Sequence, residues 1–427
     1  MSFHIQNKKS LATTKPRQHA LSILEAGLSA VETFRVMKRR VALKGAVLSI
    51  GRSRYRLDRY QRIFVIGIGK AAFEASKVLE KLLGKRIEDG VVLDVKGGRL
   101  KRLKTFVGTH PFPSAQNVRA TAEIMGILKS ADSRDLILTI VSGGGSALLC
   151  WPYKLECADI VNITRTLMSR GSTIEELNTV RKHLSDVQGG HFVRLAHPAT
   201  VVGLIFSDVP GDDLSMVASG PTFLDSTSVK DAKRILKKYR VLQSCRLPKC
   251  ELQETPKDPA LFAHVRNHLL VSNVIATKAM FVRAKQLGYR PVLYSTTLSD
   301  EARDVGNRLA KLPNPGEAVI AAGETTVTVR GTGSGGRNQE LVLGALEALP
   351  DNTLVLSCAS DGVDNGPFAG ALIDEAVRVM ARRRHLDAKK NLQENNSSAF
   401  FRETKTYIRT GVTGMNVSDL MIALRTR

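Results

Sequence analysis

Lysine is an unexpected residue inside a glycine turn, and the string Ile66-Gly67-Ile68-Gly69-Lys70-Ala71-Ala72 places Lys70 in one. Gly67, Gly69 and Ala72 match GxGxx[GA] after an apolar run. In that geometry backbone N–H groups and a helix dipole hold a phosphate or a carboxylate. A plain tight turn would look the same, and so would a dinucleotide site in which Asp94 binds a ribose. Lys70 tips the reading toward an anion whose charge it neutralises. A second cradle is Ser142-Gly143-Gly144-Gly145-Ser146. Three consecutive glycines allow very close backbone approach, and Ser142 and Ser146 add hydroxyl donors. No Gly-Lys-Ser/Thr follows, so this is not a P-loop, and Ser146 lacks the glycine two positions on that a GxSxG nucleophile requires.

Acidic and basic partners lie further along. Asp208, Asp212 and Asp213 follow an apolar run in Ser-Asp-Val-Pro-Gly-Asp-Asp. Carboxylates there suit Mg²⁺ shared with phosphate, one of them suits a base for a hydroxyl proton, and solvated loop acids are the bland alternative. In the stretch 323–340 Glu324 opens a Thr/Val run, and Gly333, Gly335 and Gly336 lead to Arg337 at an expected helix start. A guanidinium there can grip a carboxylate or steady a transferring phosphoryl group. Asn338, Gln339 and Glu340 are ligands or helix-capping residues. Asp361, Asp364, Asn416 and Asp419 sit in Gly/Asp loops and serve as site residues or turn caps. His264 and His268 are four apart, but no Glu follows the first, which argues against a zinc pair. His110, in Thr-His-Pro-Phe-Pro, is well placed but alone. Arg181, Lys182 and His183 either reach a cleft or end a helix.

The elements that must carry these residues alternate. Residues 17–50 read as helix from apolar positions at Ala20, Ile23, Leu24, Leu28 and Val31. Then 62–83 reads as strand, glycine turn and helix, 90–95 as strand, 105–113 as strand into loop, and 115–130 as helix. The buried runs 136–141 and 200–206 read as strands. This pattern predicts a parallel sheet with right-handed crossovers. A polar, Pro-containing stretch at 244–260 marks a boundary between domains spanning 1–255 and 256–427. The second part reads as helix 273–287, strand 290–296, helix 299–312, two strands within 317–331, helix 338–350 and strand 353–360.

Composition sets the class. The 427 residues, 43% hydrophobic with 34 Gly and 5% aromatic, suit a two-domain α/β protein. No run of eighteen apolar residues spans a membrane. The five Cys form no CxxC, so reduced thiols and a cytoplasmic location are expected. The first 24 residues are basic and without an apolar core, a disordered start or a weak organellar leader. The net charge of +23 raises nucleic-acid binding, but no finger, zipper or interleaved aromatic pattern accompanies it. A basic surface favouring anionic substrates is preferred.

Taken in order, GIGKAA, HPFP, SGGGSALL, ELNTVRKHLS, SDVPGDD, ASGPT, GETTVTVRGTGSGGRNQELVL, SDGVDNGP and TGVTGMNVSDL resemble the class II glycerate kinases with their C-terminal MOFRL domain, from about residue 20 to the end. The resemblance implies a Rossmann-like parallel sheet in the N-terminal domain and a distinct three-layer α/β C-terminal domain. It implies transfer of the ATP γ-phosphoryl, with Mg²⁺, to the 2-hydroxyl of D-glycerate in the interdomain cleft, giving 2-phosphoglycerate. Lys70 and Arg337 fall on the family's suspected catalytic pair, Asp208 on its SDV aspartate, and Gly143–Gly145 on its glycine loop. With these, Gly67, Gly69, Ser142, Ser146, Glu324, Asn338 and Asp361 complete the expected binding residues, and Asp208 and Asp212 the metal ligands. The chain departs from the family at Ala322, Val412, Met415 and 395–401, which weakens the substrate assignment more than the kinase chemistry. Assembly is left open, with a homodimer as the candidate. The rivals are a nicotinamide-dependent hydroxypyruvate reductase, built on Gly67, Gly69, Ala72 and Asp94, and a polyanion-binding protein on the same scaffold.

Overall fold

The computed structural model describes residues 5–209, 211, 213–245 and 250–427. The chain divides into two compact units, one of Val36–Val209 with Asp213–Leu270, the other of Met1–Arg35, Pro210–Asp212 and Val271–Arg427. The described residues up to Arg35 therefore cluster with the C-terminal part of the chain, whereas the sequence boundary at 255/256 groups them with the N-terminal part.

Fifteen strands occur among the described residues. β1 (Val41–Lys44), β2 (Val47–Ile50) and β3 (Ser53–Arg56) form a small antiparallel meander. This corrects the expectation of one helix over 17–50: the helices are Lys15–Val31 and Thr33–Arg40, and then strands begin. Beyond residue 40 the apolar residues alternate, and Gly45 and Gly51 make the tight turns of the meander.

β4 (Arg62–Ile68), β5 (Ile87–Asp94), β6 (Lys104–Val107), β7 (Asp135–Ser142), β8 (Thr200–Phe206) and β9 (Val265–Val271) form a sheet in the order β6-β5-β4-β7-β8-β9. The pairs β4–β5, β4–β7, β5–β6 and β7–β8 are parallel. Counting from β4, this is the doubly wound order 3-2-1-4-5-6, and its direction of progression reverses between β4 and β7. Every residue of β7 is buried, as a central strand covered on both faces must be. Phe64, Ile66, Ile124, Leu128, Ile137 and Phe192 form one side of the core.

β10 (Arg290–Leu298), β11 (Glu317–Gly323), β12 (Thr353–Ala359), β13 (Gly370–Ile373), β14 (Tyr407–Ile408) and β15 (Asp419–Arg425) form the second sheet, ordered β10-β11-β15-β12-β13-β14. Only β10–β11 is parallel; the other four pairs are antiparallel. Alternate residues feed two layers of helices. Val319, Ala321, Met421 and Ala423 pack with the helices Ala302–Lys311 and Arg337–Ala345. On the other face Leu420 approaches Gly27 of the helix Lys15–Val31, itself packed on Met280 of the helix Asn273–Gln286. The second unit is thus a three-layer α/β structure.

One expected strand is missing. The run 325–331 has strong β propensity, yet only Thr326 bridges, to Glu301. Its N–H groups are taken by side chains instead: Thr328 donates to the Glu301 carboxylate, and Arg330 and Gly331 to Asn395 Oδ1.

Candidate active site

The crevice at the strand-order reversal is built by the loops that leave β4 and β7. Lys70 N donates to Gly143 O at 2.9 Å, so the two glycine turns are stitched together. Gly69 has φ +110°, and a Cβ there would lie 2.3 Å from Ser142 Oγ and 2.4 Å from Ser142 O, so only glycine fits. Ser142 is buried inside this joint: its hydroxyl donates to Ile68 O at 3.2 Å and accepts from Ala71 N at 3.1 Å. It holds the Lys70 turn in place and is not the ligand donor expected from the sequence. Gly67 is also internal, with Ser76 and Ala72 filling the space where its side chain would be.

What the crevice offers a ligand is Lys70, the loop 143–146 and one residue each from the loops after β6 and β8. A Cβ on Gly144 would lie 3.1 Å from Lys70 Cε and 3.3 Å from His110 Cδ2, so both side chains lie over that glycine. A Cβ on Gly143 would lie 2.0 Å from Asp208 Oδ2, which puts the Asp208 carboxylate against the same loop. Ser146 Oγ, half-buried, accepts from Ser219 Oγ at 2.9 Å. Ala218 and Ser219 have φ of 52° and 58° and press against the loop, Ala218 Cβ lying 2.4 Å from where a Gly145 Cβ would be. Burial, then the positive charges of Lys70 and Arg181, push the His110 pKa down to about 4, so its imidazole is neutral at physiological pH.

Two sequence expectations change here. Asp94 is buried and accepts from Phe73 N at 2.9 Å and Lys96 N at 3.1 Å. It caps the local backbone and does not face a ribose. Asp213 is likewise used locally, accepting from Ser215 N and Oγ. Asp212 lies outside the described residues. Among the described residues no group of three or more His, Cys, Asp or Glu side chains forms a metal cage. A single carboxylate against a glycine loop nevertheless suits Mg²⁺, which takes most of its ligands from water and phosphate oxygens.

The second unit presents its own polar cluster. Gly323 at the end of β11 and Ala359 at the end of β12 both pair with Asp419 at the start of β15. Arg337 is the first residue of its helix and reaches back to this edge. Its Nε donates to Asp419 Oδ2 at 2.6 Å, Nη2 to Oδ1 at 3.2 Å, and Nη1 to Glu324 Oε1 at 2.7 Å. Burial raises the Asp419 pKa to about 6 against the opposing pull of Arg337. Asp364 caps the helix from outside, accepting from Asn338 N at 3.0 Å and Gln339 N at 2.9 Å. This internal carboxylate occupies the helix N-terminus. Asn338 is buried, its amide engaged by Asp364 and by Ser357 Oγ, which makes it a positioning residue and not a direct ligand. Asp361 is partly exposed and accepts from Val363 N at 2.9 Å.

Sequence reading singled out Lys70, Arg337 and Asp208 but missed the pairing of Arg337 with Asp419 and the neighbourhood of His110 and Lys70. The first has no signal in residue spacing, since 82 residues separate the partners. The second was available in outline, because His110 follows a strand of the same sheet.

Residues 19–249 match a family model described as a domain of unknown function, DUF4147, and residues 317–419 match the MOFRL family. A glycerate 2-kinase of Pyrococcus horikoshii is 34% identical, covering 96% of this chain and 97% of that protein. A D-glycerate 2-kinase of Thermotoga maritima is 36% identical over 85% of this chain and 90% of its own length. A putative hydroxypyruvate reductase of Agrobacterium vitis is 33% identical, covering 85% and 87%. A crystal structure of a glycerate kinase from Thermotoga maritima superimposes with a TM-score of 0.83 at 31% identity, covering 96% of this chain and 99% of that one.

Proposed function

The chain belongs to the glycerate 2-kinase family with a C-terminal MOFRL domain, and from that membership we propose that it transfers the γ-phosphoryl group of ATP to the 2-hydroxyl of D-glycerate. The observation that carries the reading is the joint of two glycine loops at the strand-order reversal, with Lys70 and Asp208 on it. Ligands of doubly wound sheets bind in that crevice. Phosphoryl transfer asks a protein chiefly for positioning and charge neutralisation, and this loop pair has the groups for both.

In this reading the loop 143–146 takes ATP phosphate oxygens, and the Lys70 ammonium neutralises charge that builds on the transferring group. Asp208 would hold Mg²⁺, which supplies charge neutralisation on the phosphates when bound. Arg337, held by Asp419 and Glu324, is the cationic counterpart that the second unit contributes. Glu324 is exposed enough to accept the hydroxyl proton; Asp208 is the alternative acceptor if it does not hold the metal.

A reductase reading needs a ribose-binding acid after the second strand, and Asp94 is committed to backbone N–H groups. The deciding test is a coupled ADP-release assay with Mg-ATP and a panel of D-glycerate, L-glycerate, hydroxypyruvate and tartronate. ADP release with D-glycerate, and a product that enolase consumes directly, is the expected outcome. NADH oxidation with hydroxypyruvate and no ADP release would overturn the proposal.

A further inference from the structure

Arg181 is the exception in its own helix. The helix Ile174–His183 ends in Arg181, Lys182 and His183. Lys182 donates to the buried Asp225 carboxylate at 3.0 Å, and His183 contacts Thr179 O at 2.8 Å and Glu254 at 3.2 Å. Arg181 makes no hydrogen bond or ion pair with any described residue. Burial depresses its pKa to about 10, the mark of a cation short of a counter-charge. A guanidinium placed this way at a ligand crevice is a receptor for an oxyanion, because leaving it unpaired costs more than pairing it with one.

Its surroundings say which oxyanion. Arg181 lines a small cavity with Ser146 of the glycine loop and Pro113 of the His110 loop, closed by Trp151, Leu177 and Leu184. The cavity holds about 20 Å³, room for one small polar group and not for a polyphosphate, and a carboxylate oxygen pair is the oxyanion that matches a guanidinium fork edge-on. Lys70 and the neutral His110 stand over Gly144, two residues from Ser146. We propose that Arg181, flanked by His110, forms the subsite that takes the carboxylate of the hydroxy-acid acceptor and so sets its specificity. This rests on the kinase reading above for the identity of the acid, but not for the existence of an anion site.

The test compares wild-type protein with Arg181→Met and Arg181→Lys, each checked by far-UV circular dichroism and melting. Kinetics are measured with D-glycerate, with its uncharged analogue glyceramide, and with ATP. Loss of one bidentate, charge-assisted contact should raise KM for D-glycerate roughly 100-fold. KM for ATP should stay within about threefold, the preference over glyceramide should vanish, and Arg181→Lys should recover part of it. A rise confined to KM for ATP would mean that Arg181 binds phosphate, and unchanged constants would mean that it binds nothing; either overturns the carboxylate subsite. If Arg181→Met does not fold, the same discrimination is read in His110→Gln, where an unchanged preference overturns it. If wild-type protein turns over no acid, the kinase reading has failed independently. In that case an upward melting shift by D-glycerate, seen in wild type, reduced in Arg181→Lys and lost in Arg181→Met, upholds the subsite, and no shift overturns it.

Discussion

Charge placement at single residues decides what each loop can do. Lys70 lies on the glycine joint and enters no backbone-holding role through its side chain, so Lys70→Ala should lower kcat/KM by about three orders of magnitude while melting changes little. Wild-type turnover in that variant would remove Lys70 from the chemistry. Asp419 acts through Arg337. With a pKa near 6 in the fold, it takes up a proton as pH falls through that value and loosens its hold on the guanidinium. Activity should therefore show an acid limb near pH 6, and Asp419→Asn should sit about 10- to 100-fold lower with that limb gone. The stability term runs the opposite way. Between about pH 4 and 6 the folded state binds a proton that the unfolded chain releases, so this group adds stability as pH falls and loses it as pH rises. Lys70 and Arg337 were legible as candidates because glycine strings flank both. That Ser142, Gly67 and Asp94 are spent on the protein's own backbone was not, since their partners come from other strands or helices.

At the scale of elements, the joint between the β4 and β7 turns is the feature most sensitive to change. Gly69→Ala adds a methyl where Ser142 already stands, at a φ that L residues avoid. It should cost at least about 3 kcal/mol of stability, seen as a lower urea midpoint, and should displace Lys70 as well. The alternation of strands and helices in 62–206 was readable because parallel strands buried on both faces appear as short continuous apolar runs. The elements read wrongly share a cause. In 41–50 and 325–331 periodicity and propensity were local signals, and the outcome was decided by glycine turns in one case and by side-chain acceptors from Glu301 and Asn395 in the other.

For the whole molecule, the chain's two ends belong to one compact unit. Arg17 near the start donates through Nε and Nη2 to both oxygens of Asp374, at 2.6 and 2.7 Å, in a nearly buried pair. Arg17→Ala would strand that carboxylate and should destabilise the unit by about 3–5 kcal/mol. A two-transition denaturation curve would show it as an earlier loss of the mixed-sheet unit alone. This was the part of the architecture least visible beforehand, because a boundary drawn at a polar stretch assumes that each domain is one continuous segment. The arrangement also imposes an order on biosynthesis. The helix Lys15–Val31 leaves the ribosome before the intervening unit is made, while the helix Asn273–Gln286 on which it packs comes after it. At ordinary elongation rates the interval is roughly ten to fifty seconds. Throughout that time Leu21, Leu24 and Leu28, all fully buried in the finished fold, have no finished surface to cover them. The intervening unit is complete in sequence first and can fold while the helix Lys15–Val31 still waits for the helix Asn273–Gln286 to be translated.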